Sequence, residues 1–131
     1  MSDRRGTDTH TQLGPLAGLR ILELADEKGQ FCGKLLGDLG ADVVKIEPPG
    51  GEPCRHIGPF HNDIPNPERS LSFWYYDTSK RSITLNLETA DGRGLFLRLA
   101  ETADVILETF RPGFLASLGL DYEALRKQSS G

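Results

Sequence analysis

The feature that most constrains this chain is a buried-strand pattern that occurs on both sides of one amphipathic helix. Residues 19–24 form a short apolar run rich in Leu and Ile, and residues 43–47 form a second one. Between them, residues 29–39 place large apolar side chains on one helical face, and Gly40 is positioned to end that helix. Strands that are joined through a helix by short connections pair in parallel, so the pattern predicts a βαβ unit.

The rest of the chain extends this unit into a larger sheet. Residues 82–87 alternate as a strand does, residues 91–102 carry a helical apolar stripe, and residues 105–107 predict a fourth strand. The aromatic run at residues 73–76 has no clear secondary structure, and Pro112 is placed to open a further turn. Together these elements predict an open α/β sheet of about four strands with helices packed on it.

Length, charge and cysteine content limit the class of protein. The chain has 131 residues, which suits a single domain, and we expect residues 1–14 to be a disordered tail before a domain at residues 15–131. A net charge of −4 does not favour nucleic acid, and no apolar run approaches the ~20 residues that a membrane-spanning helix needs. No secretory signal pattern is present, and two cysteines do not make a disulfide framework, so we expect a cytoplasmic protein.

Ligands of open parallel sheets bind outside the carboxyl ends of the strands. Here those ends are predicted at residues 24–28, 47–51, 86–89 and 108–113. The turn after the first strand lacks the G-x-G-x-x-G pattern, and its Asp26 and Glu27 would repel a phosphate. Nicotinamide binding is therefore not favoured, although an acidic residue does end the second strand.

The proline-rich stretch at residues 48–70 raises the question of a metal. Cys54, His56 and His61 are three potential ligands within eight residues, but their spacing matches no compact zinc pattern. We therefore interpret them as loop residues and expect no metal site. A loop of this length within a compact domain is usually functional or mobile.

For two pairs of residues the sequence allows either a ligand contact or a purely structural role. Lys80 and Arg81 precede a strand, where they either contact an anion or form a solvated strand entry. Phe110 and Arg111 follow the last strand, where an aromatic ring beside an arginine suits a purine or a phosphate. The alternative for this second pair is a turn that simply leaves the sheet.

Five segments, in this order and spacing, resemble family III CoA-transferases of the CaiB/BaiF type, which include formyl-CoA:oxalate and carnitine CoA-transferases and the related α-methylacyl-CoA racemases. The segments are PLAGLRILEL at 15–24, LGADVVKIEPPGG at 39–51, SKRSITLNL at 79–87, ADVILETFRPG at 103–113 and LGLDYEAL at 118–125. The resemblance runs over nearly the whole chain and implies the N-terminal portion of a longer, Rossmann-like protein that forms an interlaced homodimer.

The resemblance also implies a ligand and the residues that contact it. It implies that CoA or acyl-CoA binds as a substrate along the strand ends, with a small carboxylic acid as second substrate and no permanently bound cofactor. By position, Leu85, Thr109 and Phe110 correspond to residues that contact the CoA nucleotide, and Lys80 and Arg81 match the lysine-arginine step of the family. The family commonly has asparagine where Thr109 stands, and it has an uncharged turn where this chain has Asp26 and Glu27.

The catalytic group implied by the resemblance lies outside this chain. In the family an aspartate attacks the acyl-CoA and carries the reaction through a mixed anhydride and an enzyme thioester, which splits one acyl transfer into easier steps. That aspartate is expected downstream of Gly131, so we expect the chain alone to be inactive. The resemblance implies the N-terminal part of an acyl-CoA:carboxylate CoA-transferase. The alternatives are the racemase branch of the family and a non-catalytic module that binds CoA or another nucleotide.

Overall fold

The computed structural model describes residues 13–128, which build one sheet of four parallel strands. The strands are β1 (Arg20–Leu24), β2 (Asp42–Glu47), β3 (Lys80–Thr84) and β4 (Val105–Glu108). Their order across the sheet is β3-β2-β1-β4, with every neighbouring pair parallel. The predicted open α/β sheet is therefore confirmed. The predicted disordered tail lies outside the described residues, apart from Leu13 and Gly14.

Helices cover both faces of this sheet and follow its last strand. They are α1 (Gln30–Asp38), α2 (Leu71–Tyr76), α3 (Ala90–Ala100), α4 (Phe114–Ser117) and α5 (Tyr122–Gln128). The long loop between β2 and α2 also contains two single 3-10 turns, at Pro53–His56 and His61–Asp63. Among the described helices, none is long and apolar enough to cross a membrane.

The bounds predicted for the third strand need correction. The third strand was expected at residues 82–87, but β3 begins at Lys80, which pairs with Val43. It ends at Thr84 because its neighbour β2 ends there and is followed by Pro48 and Pro49, which have no N–H to donate. The strand therefore begins two residues earlier and ends three residues earlier than its alternating pattern predicts.

The aromatic run without a clear assignment is helix α2. Ser70 caps this helix, because its hydroxyl accepts a hydrogen bond of 3.1 Å from the backbone N–H of Phe73. Ser70 is itself fully buried, and its hydroxyl donates to the carbonyl oxygen of Ile57. The cap therefore joins the start of α2 to the preceding loop.

One face of the sheet builds the apolar core. The side chains that the two central strands place on this face are Leu22, Leu24, Val44 and Ile46. They pack with Phe96 from α3 and with Leu120, both of which are buried. Burying side chains of this size contributes roughly 1.5–3 kcal/mol each, so this face supplies most of the hydrophobic stabilisation.

The opposite face is apolar at its amino end and charged further along. Glu23, Lys45, Asp77 and Lys80 form what we call the buried ionic cluster, in which each side chain is at most 3% exposed. The Lys45 ammonium lies 2.8 Å from Glu23 Oε1, and the Lys80 ammonium lies 2.8 Å from Glu23 Oε2 and 2.6 Å from Asp77 Oδ1. Two positive and two negative groups thus neutralise each other between the sheet, α1 and the end of α2.

The cluster also holds the turn that follows β1. Lys45 Nζ donates to the carbonyl oxygen of Ala25 at 2.9 Å, and Lys80 Nζ donates to that of Gln30 at 2.8 Å. The backbone of α1 approaches closely at Gly33, where an added Cβ would overlap Glu23 Oε2 and lie 2.8 Å from Glu23 Cδ. Only glycine leaves space for the carboxylate at this position.

We expect Gly33→Ala to destabilise the fold by about 2 kcal/mol, because the added methyl group overpacks the site and displaces the Glu23 carboxylate. Gly94→Ala in α3 is the matched control, since an added Cβ there meets no atom within 4 Å. That change should stabilise the protein by up to about 1 kcal/mol through the helix propensity of alanine. Urea unfolding of both variants measures the difference, and equal effects would contradict the packing described for Gly33.

Candidate functional site

A cavity of about 500 Å³ lies at the carboxyl ends of the strands. Its walls come from the residues that follow β1, β2, β3 and β4, together with one side chain of α4. The lining residues are Leu24, Asp26, Ile46, Glu47, Pro48, Pro49, Glu52, Pro53, Leu85, Asn86, Leu87, Glu88, Thr109, Phe110 and Phe114. Most of the exposed wall is apolar, and the charged side chains among these described residues are all carboxylates. The cavity therefore suits a ligand portion that is uncharged and partly apolar.

The structure brings three of the five predicted contact residues together and separates the other two from them. Leu85, Thr109 and Phe110 line the cavity. Lys80 and Arg81 lie at the amino end of β3, where Lys80 belongs to the buried ionic cluster and Arg81 forms a bidentate ion pair with Asp42. That each of the five residues contacts CoA stays a prediction.

An aromatic wall closes one side of the cavity. The rings of Phe110 and Phe114 have centroids 4.7 Å apart and are tilted by 44°. Gly113, between them, adopts the left-handed conformation with φ of 87°, which glycine takes without steric cost and which starts α4. Phe110 remains 36% exposed, so part of its surface is free for a ligand ring.

The hydroxyl of Thr109 ties the turn after β1 to the end of β4. It donates to Asp26 Oδ1 at 2.8 Å and accepts from the backbone N–H of Asp26 at 3.0 Å. Burial acts to raise the pKa of Asp26, but hydrogen bonds from Lys28 and Thr109 outweigh it and lower that pKa. Because threonine holds this turn, the charged residue Asp26 is fixed as part of the cavity wall.

Glu47, at the end of β2, is the anchor of the proline-rich loop. Arg55 Nε and Nη2 each donate to its carboxylate at 2.6 Å, and Ser82 Oγ and the backbone N–H of Glu52 donate at 2.5 and 2.8 Å. Burial acts to raise the pKa of Glu47, but these hydrogen bonds outweigh it and lower the pKa to about 2. The Arg55 guanidinium also lies 3.9 Å from the ring centroid of Phe73. Arg55 is a residue that sequence reasoning missed.

Glu52, which sequence reasoning also missed, has a pKa shifted in the opposite direction from that of Glu47. Its residue is only 7% exposed, and it lines the cavity beside Asp26 and Glu47. Burial raises the pKa of Glu52 to about 7; Lys45 opposes this rise, and Asp26, Glu47 and Asp77 add to it. Two glutamates in one wall therefore differ in protonation at neutral pH, because only Glu47 has an arginine partner.

Two of the candidate metal ligands of the loop, Cys54 and His61, lie in different environments. Cys54 is fully buried, and burial raises the pKa of its thiol to about 12. The ring of His61 packs on that of Trp74 with centroids 5.6 Å apart. Within residues 13–128 no three His, Cys, Asp or Glu side chains are grouped as metal ligands would be.

We expect the anchor at Glu47 to make stability depend on acidity. Its pKa is lower in the folded protein than its ordinary value of 4.5, so its contribution is complete above that value and is lost as the pH falls toward 2. Between pH 5 and pH 3 the wild type should lose about 2 kcal/mol that Glu47→Gln does not lose. Chemical unfolding at both pH values measures this, and a constant difference between the two proteins would show that the anchor is not ionic.

Comparison with known proteins places this geometry in a family. The model of CoA-transferase family III matches residues 16–130. The chain is 43% identical to succinate–glutarate CoA-transferase of Agrobacterium fabrum over 124 residues, which are 92% of this chain and 31% of that protein. It is 38% identical to the BbsE subunit of succinyl-CoA:(R)-benzylsuccinate CoA-transferase of Thauera aromatica, over 85% of this chain and 27% of that protein.

Solved structures agree with the sequence matches. A CaiB/BaiF family protein from Brucella suis superposes with a TM-score of 0.77 at 44% identity, over 90% of this chain and 32% of that one. The protein Rv3272 from Mycobacterium tuberculosis superposes with a TM-score of 0.76 at 39% identity. The chain thus spans only about a third of the length of these relatives and corresponds to their N-terminal portion. From the match over nearly its whole length, the chain belongs to CoA-transferase family III.

Proposed function

We propose that this chain is the N-terminal part of an acyl-CoA:carboxylate CoA-transferase and that it contributes the strand ends on which CoA binds. The observation that carries this proposal is the position of the cavity. It lies outside the carboxyl ends of a parallel sheet, and it is lined by Leu85, Thr109 and Phe110. These are the positions at which the resemblance to the family implies contact with the CoA nucleotide.

The lining of the cavity matches the uncharged portions of CoA. The exposed surface of Phe110 offers a stacking platform for adenine, and the leucines and prolines of the wall suit the aliphatic pantetheine arm. The phosphates belong at the mouth, because the lining residues in the described part of the chain include carboxylates and no cation. Arg111 is exposed and adjacent to Phe110 in sequence, and we assign the phosphate contact to it.

Lys80 and Arg81 lie outside the cavity wall, at the amino end of β3. Lys80 holds the carbonyl oxygen of Gln30 at the start of α1, and Arg81 is engaged by Asp42 at the opposite end of the sheet. Their side chains point to different faces because consecutive residues alternate along a strand. Within this chain the lysine sets the position of the turn that edges the cavity, and contact of Lys80 and Arg81 with CoA stays a prediction.

The reaction requires a second substrate and a nucleophile. By analogy with relatives named for succinyl-CoA, the substrates proposed here are a CoA thioester and a small carboxylic acid. Two acidic side chains of the cavity wall do not meet the needs of a nucleophile, because Glu47 is held by Arg55 and Asp26 is held by Lys28 and Thr109. We place the nucleophilic aspartate in the portion of the protein that lies beyond this chain.

Assembly into a homodimer is part of the proposal. The outer face of α1 exposes Phe31 and Leu35, and Leu39, the residue that caps its end, is exposed as well, each between 46% and 49%. An apolar surface of this kind is typical of a region that a partner or another part of the protein covers. The proposed location in the cell is the cytoplasm, as expected for a protein whose two cysteines are unpaired.

We expect the chain to bind CoA more tightly than NAD, and Phe110→Ala to weaken CoA binding about 5- to 150-fold through loss of base stacking. Tyr122→Ala is the matched control, because it removes an aromatic ring that is 72% exposed on α5 and is not part of the cavity. Titration calorimetry measures the affinity of the wild type for CoA and NAD and that of both variants for CoA. Tighter binding of NAD, or equal effects of the two variants, would contradict the placement of the site.

We expect no acyl exchange between any CoA thioester and a free acid when this chain is assayed alone. A carboxylate nucleophile must be held within reach of the thioester carbon. Asp26 and Glu47 are held by cationic partners, burial favours the protonated form of Glu52, and Glu88 is exposed with no contact among the described residues that would orient its carboxylate. Adding the remaining portion of a family member, as one longer chain, should create activity that depends on an aspartate in the added portion. Chromatography of the products measures exchange. Turnover by the 131-residue chain that disappears in Asp26→Asn would place the chemistry here instead.

A further inference from the structure

Glu52 is a buried acidic residue of the cavity wall whose carboxyl group receives no hydrogen bond from the described residues. Its backbone N–H is fixed by Glu47 Oε2 at 2.8 Å, and Pro53 follows it at the start of a 3-10 turn. The position of the residue is therefore set by the same anchor that holds the loop. Glu52 is one of the residues that line the cavity, and no group among the described residues donates a hydrogen bond to its carboxyl group.

The charges that surround this carboxyl group favour its neutral form. Asp26 from the turn after β1, Glu47 from β2 and Asp77 from the end of α2 are carboxylates that act on it. Lys45 from β2 is the opposing cation, but its ammonium group is already engaged by Glu23. A buried carboxyl group in this setting holds its proton near neutral pH and offers an O–H as a hydrogen-bond donor.

The other side-chain donors of the described wall are few. The hydroxyl of Thr109 is used by Asp26, which leaves the amide of Asn86 and the carboxyl of Glu52. CoA carries two amide groups and, when acylated, a thioester on its pantetheine arm, and each of these has a carbonyl oxygen that loses water when it is buried. A buried carbonyl oxygen needs a donor in the wall.

We propose that Glu52 is a ligand-contacting residue and that its carboxyl group donates a hydrogen bond to a carbonyl oxygen of the pantetheine arm of bound CoA. This inference rests on the proposed function. It assigns Glu52 to ligand binding through one hydrogen bond, and no covalent bond is formed or broken. Above pH 7 the group ionises, loses its donor and adds a negative charge beside a polyanionic ligand, so binding takes up a proton.

Calorimetric titration of CoA between pH 6 and pH 8.5 tests this. The affinity of the wild type should fall above pH 7, toward a limit of about tenfold per pH unit. Glu52→Gln keeps an N–H donor and cannot ionise, so its affinity should fall less steeply and exceed that of the wild type at pH 8.5. Glu101→Gln, an exposed carboxylate at the end of α3, should follow the wild-type profile.

The comparison between variants separates Glu52 from other titrating groups. The phosphates of CoA titrate identically in all three proteins, so only the difference between their profiles reports on Glu52. Parallel profiles for the wild type and Glu52→Gln, with clear CoA binding, would overturn the inference alone. Absence of CoA binding by the wild type at every pH would overturn the proposed function and the inference with it.

Two fragments of CoA test which portion meets Glu52. Pantetheine carries the amide groups without phosphates, and adenosine 3′,5′-bisphosphate carries the nucleotide without the arm. The difference between wild type and Glu52→Gln should appear with pantetheine and be absent with the bisphosphate. The reverse result would overturn the contact to the arm.

An independent readout uses the wild-type protein and does not depend on the folding of a variant. The side-chain carboxyl carbon of Glu52, followed by nuclear magnetic resonance, should titrate with a midpoint near 7, and saturation with CoA should move the midpoint upward. A midpoint in the ordinary range of glutamate near 4.3, or a midpoint that CoA leaves unchanged, would overturn the inference.

Discussion

The ion pairs of Glu23 with two lysines are the interaction on which the rest of the structure depends. Removing these charges from water costs several kcal/mol per ion, and only their mutual neutralisation offsets that cost. The same two ammonium groups hold the carbonyl oxygens of Ala25 and Gln30, so the cluster fixes both ends of the turn after β1. That turn carries Asp26 into the cavity wall. Losing one partner would therefore leave a buried charge unpaired and would release the edge of the site together with part of the fold.

The two faces of the sheet carry different kinds of side chain. Alternation along β1 and β2 sends Leu22, Leu24, Val44 and Ile46 into the core, while Glu23, Lys45 and Glu47 lie on the other face. Hydrophobic burial is thus concentrated on one face, and the ion pairs that position the loop and the turn after β1 lie on the other. Glu47 uses its arginine to anchor the loop and stays ionised, and that anchor presents Glu52, which has no such partner. The two glutamates of this wall therefore differ because the Arg55 guanidinium pairs with Glu47 and not with Glu52.

The sequence was sufficient for the architecture and for the family, because both are encoded in local periodicity and in ordered segments. The βαβ unit, the four strands and the location of the cavity at their carboxyl ends were all predictable. The start of β3 was not, since its register is set by Lys80 reaching a carboxylate 57 residues away. The helical state of residues 71–76 depends on one serine cap. Arg55 and Glu52 were missed because a loop brings them to the strands, and no periodicity reports such contacts. The partners of Lys80 and Arg81 within the chain, Glu23 and Asp42, are distant in sequence and could not be predicted from charge, and contact of this pair with CoA stays a prediction.

The central claim is that CoA binds at the carboxyl ends of the strands, and backbone amide mapping by nuclear magnetic resonance tests it most directly. Adding CoA to the isotopically labelled chain should shift the amide signals of Asp26, Glu52, Thr109 and Phe110. The amides around Arg20, Asp42 and Arg81, at the amino ends of the strands, should stay in place. Shifts confined to those amino ends, with an unchanged cavity, would contradict the account.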